Sequence, residues 1–335
     1  MIRFALIAAS VLGFALTAAL GNLMVPLLRE LERTVRGQDP EEKQPDPVPV
    51  PVPALGGLCL MVGTLAAVGV GWVAACAAQP SLLGDDADLM FRLLTALVGA
   101  LAFGGIGLAD DLARVRSRAG LGLRRGTRLG LEVAASAVVL GLLAKNGCLT
   151  PGLILPGAGY VQLAAAPLLW GALLVALAEC GRAADGADGT VCGAAFVSML
   201  GLMILETRLG WFPLAVLPAA LAGALMAFLL WNFPPAKLYP GRCGCLFLTG
   251  ALGCIPLCMG CGELALPLAL PFWAEGGMVA LQILSFRLTG KALFCTAPLH
   301  RWLKRRGAGA VNIFYSLCAL SVCGLALAMG LACWA

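Results

Sequence analysis

Ten apolar stretches follow one another along the chain, at residues 2–27, 54–78, 91–109, 129–145, 163–180, 187–205, 211–231, 245–260, 264–286 and 311–333. Each is close to the roughly 20 residues that cross a bilayer as a helix. Polar residues are concentrated in the breaks between the runs, so the pattern predicts an all-α, polytopic membrane protein with about ten transmembrane helices. The fourth and eighth runs are short. The first follows Met1-Ile2-Arg3 but outlasts the apolar core of a signal peptide, and it is expected to persist as a span. Between the first two runs, Pro45-Asp-Pro-Val-Pro-Val-Pro-Val-Pro53 alternates proline and predicts an extended polyproline strap. No internal repeat or soluble insertion is visible, and residues 1–335 read as one integral-membrane domain.

Composition agrees with this class. Charged residues make up 12% of the chain, half the share of an ordinary soluble domain, about 25%. Their distribution carries more information than their number. Nineteen of the 23 lysines and arginines lie in the connections after the odd-numbered runs, leaving Arg3, Arg92, Lys145 and Arg208 for the other side. Positive-inside bias puts those five connections in the cytoplasm and both termini outside. The net charge of +5 is then a signal of topology that calls for no nucleic-acid partner, and basic loop edges favour anionic membrane lipid or a phosphorylated lipid. The fourteen cysteines are scattered through the apolar runs without paired spacing, as expected of small buried hydrophobes.

Four polar clusters stand against this background. Glu179-Cys-Gly-Arg182-Ala-Ala-Asp185-Gly-Ala-Asp188-Gly189 separates two runs bare of ionisable groups. Charges so close to hydrocarbon are costly and point to a functional site. If helical, Asp185 and Asp188 share a face suited to a cation or a nucleotide; the plainer alternative is that one of them caps the following helix. Asp110-Asp111 ends the third run, where the helix dipole disfavours anions. Either Arg114 and Arg116 pair with these carboxylates locally, or the carboxylates bind Mg²⁺, which typically takes one or two carboxylates with phosphate oxygens. The third cluster is Trp231-Asn232-Phe-Pro-Pro-Ala-Lys237-Leu-Tyr239-Pro-Gly-Arg242. Lys237 suits a phosphate and Tyr239 suits a base. The fourth, Ala297-Pro-Leu-His300, holds the single histidine, which alone carries little weight.

Taken in order, these clusters resemble the phospho-N-acetylmuramoyl-pentapeptide transferase family of the polyprenyl-phosphate N-acetylhexosamine-1-phosphate transferase superfamily, and the chain is identified as a divergent member. Pro53-Ala-Leu-Gly-Gly57 is similar to the family's Pro-Thr-Met-Gly-Gly, and Gly107-Leu-Ala-Asp-Asp111 to its Gly-Phe-Ile-Asp-Asp. Asp185-Gly-Ala-Asp-Gly189 resembles Asp-Gly-Leu-Asp-Gly, and Pro235-Ala-Lys-Leu-Tyr-Pro-Gly241 resembles Pro-Ala-Lys-Val-Phe-Met-Gly. Ser285-Phe-Arg-Leu-Thr-Gly-Lys291 leads to the histidine as in the family.

The resemblance implies a commonly dimeric enzyme of the bacterial inner membrane with cytoplasmic active-site loops. It would move phospho-N-acetylmuramoyl-pentapeptide, or a related sugar phosphate, from UDP to undecaprenyl phosphate with Mg²⁺, releasing UMP. Asp110, Asp111, Asp185 and His300 would be catalytic, with metal on Asp111 and Asp185. Asp188, Arg114, Asn232, Lys237, Tyr239 and Arg242 would bind substrate, Tyr239 replacing a phenylalanine that stacks on uracil. The family's metal-binding aspartate after Gly241 is here Arg242, and two asparagines before the acidic motif are Glu179 and Arg182. A cation cannot ligate Mg²⁺, so Arg242 is a phosphate clamp or the mark of lost catalysis. Three readings follow: an active sugar-phosphate transferase, a non-catalytic paralogue that binds the same ligands or cell-wall partners, and an unrelated transporter.

Overall fold

The computed structural model describes residues 2–35, 55–84, 87–117, 121–155 and 159–333; the proline strap at 45–53 lies outside the described residues. Besides two short 3-10 turns, at Pro80–Leu83 and Gly262–Leu264, they hold twelve α-helices and one hairpin. In chain order they are α1 (Ile2–Val35), α2 (Gly57–Ala78), α3 (Ala87–Arg116), α4 (Arg125–Lys145), β1 (Gly152–Leu155), β2 (Gly159–Gln162), α5 (Ala166–Ala184), α6 (Thr190–Arg208) and α7 (Val216–Asn232). There follow α8 (Gly241–Met259), the single turn α9 (Ala265–Leu268), α10 (Leu270–Thr289), α11 (Leu299–Arg305) and α12 (Ala310–Ala332).

Eight of the described helices are long and apolar enough to cross a membrane: α1 to α6, α8 and α12. The pair Gly262–Leu268 and Leu270–Thr289 meets the same length and apolarity but is bent by 78°, and α7 adds an apolar helix of 17 residues. Each of the ten apolar runs thus has a helix. The fourth is longer than its run, because α4 begins at Arg125 and so includes the buried Arg128, which a pure hydropathy window excludes. Two short elements had no hydropathy signal, the hairpin β1–β2, paired antiparallel from Gly152↔Gln162 to Leu155↔Gly159, and the amphipathic α11.

The bundle is built around α8. Every residue of this helix except Arg242 is buried. Its sequence, rich in glycine and cysteine, lets the flanking helices α2, α3 and α5 approach closely, as small residues do between membrane helices. The α3 backbone at Gly107 is so near α8 that a Cβ there would lie 2.3 Å from the Arg242 carbonyl oxygen. By contrast α10 departs from the bundle. Its buried residues are confined to Pro271, Phe272, Glu275 and Gly276, while Leu281, Leu284, Phe286 and Leu288 are exposed. Pro267 and Pro271 flank the bend, each removing a backbone donor from the helical ladder. This half of the helix therefore presents an apolar surface that the rest of the bundle leaves uncovered.

Candidate functional site

All four polar clusters come together at one end of the bundle, the end that carries the basic connections. Asp110 and Asp111 lie near the end of α3 and are both buried. Asp110 Oδ1 accepts the backbone N–H of Leu123 at 2.6 Å, which draws the α3–α4 connection over the site. Asp110 Oδ2 is ion-paired with Arg242 Nη1, from the first turn of α8. Asp111 Oδ2 accepts the N–H of Cys243 at 2.9 Å. The local pairing of this acidic pair with Arg114 and Arg116 is therefore not what forms at Asp110; the partner comes from 132 residues further along the chain. Arg114 is partly buried and its Nε has no hydrogen-bond partner.

Asp185 and Asp188 sit on the turn joining α5 to α6, where Gly186 and Gly189 have φ of 111° and 71°. Left-handed glycines break the helix here, so the two carboxylates do not share a helical face as their spacing alone would give. Nor does either cap α6. Its N-cap is Gly189, with no side-chain hydrogen bond, and Asp185 instead closes α5. Asp185 turns toward the α3–α8 pair, where it acts on Asp111 through space and is hydrogen-bonded by the Cys245 thiol. Burial pushes its carboxyl up, against the opposing effects of the Cys245 bond, the nearby His300 and the Gly186 N–H. Asp188 points the other way. Its Oδ2 accepts the N–H of Ala236 at 3.2 Å and its Oδ1 the hydroxyl of Tyr239. Burial, and then the Asp188 bond, push the Tyr239 phenol well above its ordinary value.

The α7–α8 connection is shaped by Asn232, which is buried and donates from Nδ2 to the Leu238 carbonyl at 2.8 Å. Expected as a substrate ligand, Asn232 here holds the loop that presents Tyr239. Lys237 is exposed. His300 begins α11 and is buried, with both its backbone N–H and its Nδ1 on the Glu275 carboxylate, at 3.1 and 3.0 Å. Its Nε2 is buried without a partner.

A second charged network adjoins these residues. Glu179 is bound by Arg182 at 2.6 Å and by Arg128 at 3.1 Å, while Arg128 lies 3.6 Å from Glu132. Both carboxylate oxygens of Glu132 are buried without a hydrogen-bond partner. Arg125, Arg128, Arg182 and Arg287 rim a cavity of about 750 Å³ between α4, α5 and α10, whose wall includes Trp273, Ile283 and Leu284. Another cavity, of about 450 Å³, is lined by Asp188, Pro234, Pro235 and the start of α12.

Glu275, Arg128 and Glu132 were missed by sequence reasoning, although a signal existed. Glu275 is the single ionisable residue inside the ninth apolar run, and Glu132 the single one inside the fourth before Lys145. Such residues within spans are site candidates by default.

Of the two carboxylates expected to hold Mg²⁺, Asp111 and Asp185, the first has one oxygen engaged by the protein, and its neighbour Asp110 has both. The cation against this pair is Arg242. Among the described residues, no three His, Cys, Asp or Glu side chains are grouped to hold a metal ion. Magnesium takes one or two carboxylates together with phosphate and water oxygens; where the resemblance calls for a further metal-binding carboxylate stands the Arg242 guanidinium, which cannot ligate it, so the donor set is one carboxylate short.

Sequence comparison supports the same region. The family model described as glycosyl transferase family 4 matches residues 93–260, from α3 through α8. The phospho-N-acetylmuramoyl-pentapeptide-transferase of Symbiobacterium thermophilum is 31% identical over 310 residues, covering 88% of this chain and 87% of that protein. The proteins of the same name from Clostridium kluyveri and Halalkalibacterium halodurans are 27% identical over 332 and 343 residues, or 95% and 100% of this chain and 96% and 99% of theirs. With a match running from end to end and centred on the helices that carry the acidic pairs, the chain belongs to glycosyl transferase family 4, as a member of its phospho-N-acetylmuramoyl-pentapeptide transferase branch.

Proposed function

We propose that the protein transfers phospho-N-acetylmuramoyl-pentapeptide, or a related sugar phosphate, from UDP to undecaprenyl phosphate. The observation that carries this is the adjacency of the Asp110–Arg242–Asp111–Asp185 cluster to an apolar-walled cavity rimmed by four arginines. Arg182 interacts through space with Asp110, so a phosphate held at that rim lies within electrostatic reach of the acidic cluster. An apolar wall with a cationic mouth matches a long prenyl chain bearing a phosphate. Asp188 lines the smaller cavity and holds the Tyr239 hydroxyl, and the phenol ring offers a face for uracil.

In this reaction an oxygen of the lipid phosphate attacks the sugar-bearing phosphorus of the UDP-sugar. A new phosphoanhydride bond forms, the old one breaks on the UMP side, and UMP leaves with the bridging oxygen. Transfer of this kind asks mainly for positioning and charge stabilisation. Arg242 and Arg114 supply charge toward the phosphates. His300, with Nδ1 fixed by Glu275, keeps its Nε2 without a partner and acts on Asp185 through space, so the ring can hold or accept a proton near the acidic cluster. The basic end would face the cytoplasm of the bacterial inner membrane, where UDP-sugars are made.

Arg242 favours a second reading, a paralogue that binds the lipid carrier or the nucleotide without turnover. Incubating purified protein with UDP-N-acetylmuramoyl-pentapeptide and undecaprenyl phosphate separates the two. Release of UMP together with a lipid-linked pyrophosphate supports the transferase; binding of both substrates with no UMP supports the paralogue.

A further inference from the structure

The guanidinium of Arg242 stands where the resemblance calls for a metal-binding carboxylate, and its surroundings are built to keep it there. Gly107 brings the α3 backbone against the Arg242 carbonyl, fixing where the side chain starts. Asp110, itself anchored by the Leu123 N–H, takes one guanidinium N–H of the five available. Gly122 completes the cradle. A Cβ at that position would come within 2.2 Å of Asp110 Oδ1 and 2.8 Å of Arg242 Nη1, so only a bare backbone leaves the pair room. The Arg242 side chain keeps 17% of its surface exposed, whereas Asp110 keeps 1%. The carboxylate is sealed, and the cation looks out. Arg114 Nε and His300 Nε2 add two buried ring or guanidinium nitrogens without partners at the same end of the bundle. In a cluster used only for packing, orphaned nitrogens of this kind are costly.

We propose that Arg242, held by Asp110, is itself the phosphate-binding cation of this site, and that the site takes the pyrophosphate of a nucleoside diphosphate without a divalent metal ion. The proposal rests on the transferase reading for the class of ligand. Arginine suits the role because it is always charged and presents parallel N–H groups to two phosphate oxygens at once. Asp110 is then a positioning residue. It orients the guanidinium and, being already neutralised by it, no longer competes for a free cation.

The test uses UDP as the probe and the full-length protein in detergent. Calorimetric titration is run in EDTA and in excess Mg²⁺, and Mn²⁺ binding is followed separately by electron paramagnetic resonance. Wild type is expected to bind UDP equally within about threefold in the two buffers and to bind no stoichiometric Mn²⁺. Arg242→Gln is expected to weaken UDP about 10- to 100-fold, the range for losing a hydrogen bond to a charged group. Gly122→Ala, which keeps both charges but crowds them, is expected to weaken UDP several-fold. The proposal is overturned if Mg²⁺ tightens UDP binding by wild type more than tenfold, if wild type binds Mn²⁺ stoichiometrically, or if Arg242→Gln binds UDP as wild type does. Should Arg242→Gln fail to fold, the two wild-type measurements decide alone. Metal-dependent UDP binding would overturn this proposal and leave the transferase reading standing. Metal-free UDP binding without UMP release from the full substrates would do the reverse, and no UDP binding in either buffer would overturn both.

Discussion

Glu275 receives two hydrogen bonds from His300, one from the backbone N–H at 3.1 Å and one from the ring Nδ1 at 3.0 Å. A carboxylate in this position fixes the tautomer, leaving Nε2 with the lone pair in the neutral ring. Glu275→Gln preserves shape but lets the side-chain amide donate to Nδ1, favouring the opposite tautomer. We expect kcat to fall at least tenfold with KM for the UDP-sugar changed less than threefold, and the pH dependence of kcat to shift along with it. Equal losses in kcat for Glu275→Gln and Glu275→Ala, with an unaltered pH profile, would reduce the pair to packing.

Asp185 predicts a dependence of stability on pH. Because burial raises its carboxyl above the usual range, the folded protein holds this proton more tightly than the unfolded chain does. The contribution is full below the ordinary aspartate pKa of about 4 and is lost as pH rises through the raised folded value. Asp185→Asn removes that loss. Its thermal midpoint in detergent should exceed wild type by a few degrees at pH 8, with the difference shrinking toward pH 4, although transfer activity falls. A difference that grows on acidification would contradict the assignment.

Much of this architecture was legible as hydropathy. Ten apolar runs gave ten helices because burial in lipid and burial in protein select the same residues, so the period of the pattern survives either environment. What hydropathy cannot see is direction. Asp185 and Asp188 looked like partners on one face, but Gly186 and Gly189 turn the chain so that one meets Cys245 and the other Tyr239. Asp110 looked destined for nearby arginines, and its partner is Arg242, whose proximity follows from the close packing of α3 on α8 at Gly107. Glu275 lay in plain view inside an apolar run; its histidine comes from α11, which returns to pack on α10 after the connection at 290–298, a contact that hydropathy does not register.

The sidedness expected from the basic connections has a direct measurement. Single cysteines at positions 116, 240 and 304 on a cysteine-free background should react with a membrane-impermeant maleimide only after the cytoplasmic face is opened, and one at position 145 should react in intact cells. Labelling of position 116 in intact cells would invert the arrangement.

Tyr239 joins two roles that substitution can separate. Its hydroxyl donates to Asp188, and its ring borders the same connection. Tyr239→Phe keeps the ring and should change KM for the UDP-sugar by no more than a few-fold. Tyr239→Ala removes the stacking surface and should raise KM about 10- to 100-fold, since stacking on a base contributes roughly 1–3 kcal/mol. If Phe and Ala were equally damaging, the hydroxyl bond to Asp188 would be the functional element, and the uracil would lie elsewhere.

Gly107 tests whether the approach of α3 to α8 sets the geometry of the site. A Cβ there meets the backbone of α8: the Arg242 carbonyl oxygen at 2.3 Å, its carbon at 2.6 Å and Cys243 Cα at 2.8 Å. No side chain can rotate away to make room, so Gly107→Ala must separate the helices locally, at a cost of about 1–3 kcal/mol for overpacking. The displacement falls on the first turn of α8, which carries both the Arg242 guanidinium paired with Asp110 and the Cys243 N–H on Asp111. Loss of UDP affinity should therefore exceed what the drop in thermal stability explains. A variant at an equally tight but remote contact supplies the control. Gly324 in α12 would place a Cβ 2.1 Å from the Pro267 carbonyl oxygen, away from the acidic cluster. Gly324→Ala should lower the melting temperature to a similar degree while UDP binding at permissive temperature stays near wild type. If the two alanines lowered UDP affinity equally, the α3–α8 contact would have no privileged part in shaping the site.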